Sequence, residues 1–275
     1  MNIVITGSSS GIGRLLAEHR LSRGDQVWGL ARTSQADLEA THRGNFRASC
    51  CDVAQWSQVE RVARAVAAAW PHVDGLIACA GMHGEIGRAL QSDPLNWSAT
   101  VRVNLDGTFY AIRAFSAQLA HASRRAKIVC FSGGGATKSR PHFSAYSVAK
   151  TGVVRLVETI ADEERGSLDI NTIAPGAINT RLTDEVLALG PSIVGEAEYE
   201  AALKQKSNGG APAAKVLGLI DWLLSPASDG ISGRLLAAPW DPWPTLDRHR
   251  TAIATTDVYQ LRRIVPEDRG LSFGP

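Results

Sequence analysis

Seven short runs dominated by Val, Ile, Leu and Ala, near residues 2–6, 26–31, 46–51, 74–79, 126–132, 168–174 and 233–237, alternate with longer stretches whose apolar positions recur at helical spacing. Runs of this kind read as strands covered on both faces, and the stretches between them as amphipathic helices that do the covering. The alternation predicts an α/β fold, a doubly wound parallel sheet with right-handed crossovers. In such a sheet ligands bind beyond the carboxyl ends of the strands, near the point where strand order reverses. Two segments break the rhythm. Residues 181–210, with Gly190-Pro191 and Ser207-Asn208-Gly209-Gly210, form a polar excursion read as a substrate lid, because its start adjoins that edge. Residues 239–275, opening Pro239-Trp240-Asp241-Pro242-Trp243-Pro244, form an arginine-bearing extension to the single domain expected over 1–238.

The residues that carry chemistry gather at the strand ends. Gly7 follows the first strand, Arg32 the second, Asp52 the third, Gly81 the fourth, Ser132 the fifth and Pro175-Gly176 the sixth. The first of these turns, Gly7-Ser8-Ser9-Ser10-Gly11-Ile12-Gly13, runs from a strand straight into a helical pattern. Glycines there allow a tight turn and close backbone approach, and the helix N-terminus offers unpaired N–H groups to a pyrophosphate. Further along, Tyr146 and Lys150 stand four apart on a predicted helix and so share one face. A phenol is a poor acid or base at neutral pH, but a fixed ammonium nearby stabilises its phenolate.

Composition removes several alternatives. The formal charge of +2 comes without a basic block, which argues against nucleic acid. Cys50, Cys51, Cys79 and Cys130 fall in or beside predicted buried strands without metal-ligand spacing, so they read as core thiols, with neither disulfide nor metal expected. No apolar run approaches the roughly 20 residues a bilayer requires. A cytoplasmic location is the expectation.

Taken together, Thr6-Gly7-x3-Gly11-Ile12-Gly13, Asp52-Val53, Ala80-Gly81, Asn104, Tyr146-x3-Lys150 and Pro175-Gly176-x-Ile178-x-Thr180 resemble the short-chain dehydrogenase/reductase family in its shorter subgroup, over roughly residues 1–238. The resemblance implies a Rossmann-type sheet of about seven strands in the order 3-2-1-4-5-6-7, and hydride transfer between a nicotinamide and a ketone or secondary alcohol. It implies catalytic roles for Tyr146 as acid/base, for Lys150 on the nicotinamide ribose, and for Asn104 holding a water that relays protons. By the same likeness Gly7, Ser9, Ser10, Gly11, Ile12 and Gly13 would hold the phosphates. Asp52 and Val53 would meet the adenine, and Ala80 and Gly81 the ribose. Pro175, Gly176, Ile178 and Thr180 would meet the nicotinamide side. Relatives that prefer NAD carry an acidic residue at the end of the second strand. Here that position reads Leu30-Ala31-Arg32-Thr33, and the Arg32 guanidinium suits a 2′-phosphate, so NADP(H) is expected with NAD(H) as the alternative.

Two features depart from the family pattern. Gly133 stands where the family places its catalytic serine, and Ser132, one residue earlier, is the candidate replacement; the competing reading points Ser132 into the core. The extension carries Arg248, His249, Arg250, Tyr259, Arg262, Arg263 and Arg269, and reads either as a docking arm or as an arm that closes the substrate pocket. The expected activity is an NADP(H)-dependent oxidoreductase on a small carbonyl or alcohol. The alternatives are a cofactor-binding regulator that has lost turnover and a sugar-nucleotide keto-reductase or epimerase. By resemblance, a homodimer or homotetramer would form through helices near 94–120 and 146–164.

Overall fold

The computed structural model describes residues 1–122 and 124–273. Seven strands, β1 (Asn2–Thr6), β2 (Gln26–Ala31), β3 (Phe46–Cys50), β4 (Gly75–Ala78), β5 (Ala126–Phe131), β6 (Leu168–Ala174) and β7 (Leu235–Ala237), form one parallel sheet in the order β3-β2-β1-β4-β5-β6-β7. Order reverses between β1 and β4, where Thr6 pairs with Leu30 on one side and Ala78 on the other. Strands β3, β4 and β5 end one residue before the apolar run does, because the chain there turns out of the sheet into the loops that build the site.

Helices cover both faces. Against one face pack α1 (Gly11–Ser22) and a later helix, Ala213–Leu223, through Leu16, Ala17, Leu219 and Leu223. Against the other lie Trp56–Ala69, Gly107–Ala120 and Ser144–Glu163, burying Val59, Val66, Phe115, Val153 and Val157. Helix α2 (Ala36–Thr41) backs the outer strand β3. In chain order the remaining helices are α3 (Trp56–Ala69), α4 (Pro94–Val101), α5 (Gly107–Ala120), α6 (Ser144–Glu163), α7 (Arg181–Leu189), α8 (Pro191–Val194), α9 (Glu196–Ser207), α10 (Ala213–Leu223) and α11 (Arg250–Thr255).

Two expectations change. The excursion at 181–210 is helical, as α7 to α9, and its Val186, Val194 and Ala202 close a small core of their own with Phe143 and Tyr146. Cys50 is exposed, because β3 is the outer strand of the sheet, whereas Cys51 and Cys130 are buried. The extension packs on its own chain. The buried Arg234 guanidinium donates to the carbonyls of Ile253, Thr256 and Val258, and Leu261 N–H donates to Glu158 Oε1 at 2.7 Å. On the outer side of β7, Leu235 N–H donates to Tyr259 O at 2.8 Å and Ala237 N–H to the Asp241 carboxylate at 2.6 Å. Edge amides that would otherwise template pairing with another chain are thereby satisfied.

Candidate active site

Beyond the carboxyl ends of the strands lies a cleft of about 860 Å³. Its wall is formed at one end by Gly7, Ser9, Ser10, Gly11, Ile12, Gly13, Arg32, Asp52 and Val53, and at the other by Asn104, Ser132, Tyr146 and Lys150. Ala80 and Gly81 line the middle, and Pro175, Gly176, Ile178 and Thr180 form the side that leads into α7.

The glycine loop fits a dinucleotide phosphate for local reasons. Gly7 takes a left-handed φ of 73°, and a Cβ there would come within 2.8 Å of Ala80 Cα. A Cβ on Gly13 would run into the carbonyl of Gly7, so only glycine lets α1 approach β1 this closely. Ser10 caps α1 in extended conformation without spending its side chain on the first-turn amides, and no carboxylate stands in that turn. The free N–H groups and the positive end of the helix dipole are left for an anion. Arg32 is exposed at the end of β2 and makes no ion pair among the described residues. By contrast, Arg14 is held by Glu18 and Asp37.

At the other end, Asn104 sits in a π-turn, Arg102–Asp106, inserted between α4 and α5. Its side chain is fully buried. Nδ2 donates to the carbonyls of Met82 at 2.8 Å and Thr100 at 2.9 Å, and Oδ1 accepts Met82 N–H at 3.3 Å. A Cβ on Gly81 would lie 2.8 Å from Asn104 Oδ1 and 3.4 Å from Lys150 Nζ, so this glycine keeps the amide and the ammonium side by side. Lys150 Nζ donates to Phe131 O at 3.0 Å, and burial pushes its pKa down to about 8, with the neighbouring thiols of Cys79 and Cys130 pulling the other way.

Tyr146 lies one turn before Lys150 on α6, and its ring centroid is 5.6 Å from Nζ. Its phenol departs from the electrostatic expectation. Burial pushes its pKa above the ordinary value, and the cation that opposes this is the Arg140 guanidinium. A lysine one helical turn away does not by itself offset the desolvation of a phenolate enclosed on all sides.

Around the missing serine the backbone decides much. A Cβ on Gly133 would fall 2.9 Å from Tyr146 Cζ and Cε1 and closer still to Oη, so the phenol packs directly against the Gly133 backbone. Ser132 N–H still bonds Ile173 O at 2.8 Å, extending the β5–β6 ladder by one residue. Strand alternation puts its side chain on the face of Cys130, toward α6. Its hydroxyl is buried there without a hydrogen-bond partner among the described residues.

Among known proteins, the family model for short chain dehydrogenases matches residues 1–188. The chain belongs to the short-chain dehydrogenase family. It is therefore an oxidoreductase of that family. D-threitol dehydrogenase of Mycolicibacterium smegmatis is 31% identical over 191 residues, covering 65% of this chain and 70% of that protein. An NADP-dependent mannitol dehydrogenase of Alternaria alternata is 29% identical over 199 residues, covering 67% and 73%. The fold matches that of a short-chain dehydrogenase from Shigella flexneri solved as a complex with NADP, with a TM-score of 0.73 and 21% identity over 86% of this chain and 96% of that one.

Two side chains of this short-chain dehydrogenase line the cleft without a sequence signal to announce them. His83, in the loop after β4, is buried, and its ring meets that of Tyr146 edge-on at 5.1 Å and that of Phe143 at 5.2 Å. Arg140, in the loop after β5, lies 3.8 Å over the Phe143 ring and pairs with Glu198 of α9. A lone His or Arg in an aperiodic loop carries no pattern. From the extension only Trp240 lines the cleft among the described residues, so the arginines past it do not close the pocket, and the docking-arm reading accounts for their place.

Proposed function

We propose that the chain is an NADP(H)-dependent oxidoreductase that interconverts a ketone and a secondary alcohol, with Tyr146 as the general acid/base. The observation that carries this is the convergence of Tyr146, Lys150 and Asn104 at one end of a cleft whose other end is a phosphate-ready glycine loop. When bound, the nicotinamide supplies or accepts the hydride. The protein's own residues orient and move the proton. Tyr146 Oη gives its proton to the substrate oxygen in reduction and takes it back in oxidation. Lys150 holds the nicotinamide ribose and adds positive charge to the pocket, and its depressed pKa keeps it near a protonation change at working pH. The Asn104 side chain is wholly spent on Met82 and Thr100, so its contribution is to fix the π-turn, with the relay water held at the backbone there. Ser132, the neighbour of Gly133 in the chain, lines the same wall, and its buried hydroxyl is the family serine's candidate replacement.

Arg32, just past the end of β2 and without an ion pair among the described residues, supports NADP(H) over NAD(H), as does the NADP dependence of the mannitol dehydrogenase relative. The relatives' polyol substrates make small polyhydroxylated alcohols and their ketones the first class to assay. Exposed Leu95, Phe109 and Val148 on α4, α5 and α6 support a homo-oligomer joined through these helices, and the free thiols suit a reducing compartment such as the cytoplasm. No helix among the described residues is long and apolar enough to cross a membrane.

The test is a fluorescence titration with NADPH and NADH, followed by assay of polyols with NADP⁺ and of diketones with NADPH. Tighter NADPH binding and turnover of at least one alcohol or ketone are expected. A chain that binds neither nucleotide, or binds NADPH yet turns over none of these compounds, overturns the proposal.

A further inference from the structure

Gly133 leaves the substrate oxygen without the family's second hydrogen-bond donor, and the steric demand of Tyr146 forbids restoring one at that position. The replacement comes from another group at the same end of the cleft, where Gly134 and Gly135 offer only backbone amides and His83 offers a side chain. We infer that His83 fills this role, hydrogen-bonding the substrate oxygen beside Tyr146.

His83 lines the cleft, is 6% exposed, and meets the Tyr146 ring at 5.1 Å, which places the imidazole and the phenol against the same small volume. Its Nδ1 is buried and has no hydrogen-bond partner among the described residues. An unpaired buried nitrogen costs about 1–3 kcal/mol; Nδ1 is shielded from solvent, so the ring turns to present it before a substrate oxygen recovers that cost. Burial, with Arg140 and Lys150 adding to it, pushes the imidazole pKa down to about 3, so the ring stays neutral and offers one donor and one acceptor. A neutral donor suits the site: it stabilises charge gathering on the substrate oxygen before the Tyr146 proton arrives, without competing for that proton. The bland alternative is that His83 is only an aromatic wedge between Phe143 and Tyr146. Ser132, whose hydroxyl is also unpartnered, is the rival donor.

The inference rests on the Tyr146 reading above, and the variants separate the two. With NADPH and butane-2,3-dione as the probe ketone, kcat and KM are measured for wild type, H83F, H83Q, S132A and Y146F, alongside NADPH affinity and thermal midpoint. H83F keeps an aromatic ring but has no donor. It is expected to lose about 100-fold in kcat with NADPH affinity unchanged, and H83Q to regain about tenfold of that loss. An H83F enzyme within twofold of wild type overturns the inference, as does a loss of that size in S132A alone. H83Q falling as far as H83F reduces His83 to a wedge and overturns it equally. A fully active Y146F variant instead refutes the proton-transfer reading and the inference with it.

Discussion

Replacing Gly133 by alanine adds one methyl group at the point where Tyr146 rests on the backbone. Gly133 does not have a left-handed φ, so the main chain accepts a Cβ there without strain, and the effect falls on the tyrosine. That Cβ would lie 2.9 Å from two ring carbons, where ordinary contact begins at 3.4 Å, and nearer still to the hydroxyl. The ring must retreat by about half an ångström and Oη by more, and a displacement approaching 1 Å costs about 100-fold in rate, or about 2.7 kcal/mol of barrier. Overpacking costs about 1–3 kcal/mol of stability, partly offset by the roughly 0.4–1 kcal/mol that a glycine-to-alanine change takes from the unfolded chain. The assay is kcat/KM for ketone reduction, with NADPH affinity and thermal midpoint as controls. G133A should lose most of its rate, bind NADPH as before and unfold slightly earlier. G133S gives the sharper contrast. If the chain merely lacked a donor, serine would raise the rate; if Tyr146 occupies that space, serine lowers it. A variant at 133 as fast as wild type, or faster, refutes the packing argument.

Other consequences follow from the same geometry. Because the folded pKa of Lys150, about 8, lies below its ordinary 10.5, the unfolded chain holds the extra proton between those values and this group's contribution to stability rises with pH across that window. K150M should therefore be more stable than wild type at pH 7, by up to about 3 kcal/mol, with the advantage gone by pH 10.5 in denaturant titrations, and it should be inactive. An advantage that does not depend on pH would contradict the buried-ammonium account. R32D should weaken NADPH binding about tenfold or more while sparing NADH, read by fluorescence titration; equal loss for both would remove Arg32 from phosphate recognition. Deleting residues 245–275 strips the Arg234 guanidinium of its carbonyl partners and frees the Leu235 amide at the β7 edge. Stability should fall by at least about 3 kcal/mol, with edge-driven association in light scattering and unchanged NADPH affinity in whatever remains folded.

The sheet was legible because parallel strands buried on both faces leave apolar runs, and the seven runs correspond one to one with β1 to β7. The glycine loop and the Tyr146–Lys150 spacing were legible because their geometry demands particular residues at fixed offsets. The helical character of 181–210 was not, since α9 buries only Ala202 and so shows no apolar stripe. Nor was the lodging of the extension, which depends on one buried guanidinium collecting carbonyls from a segment far along the chain. Gly133 was visible as a departure. Its consequence, a tyrosine seated against bare backbone, required the packing, and so did His83, whose place beside that tyrosine comes from a loop with no periodicity.

The most direct test of the central claim is a single-turnover measurement with excess enzyme and saturating NADPH, comparing wild type with Y146F on a ketone the wild type reduces. With Tyr146 as the proton donor, Y146F should bind NADPH with wild-type affinity while nicotinamide oxidation slows by at least about 100-fold. Oxidation at the wild-type rate in Y146F would contradict the account.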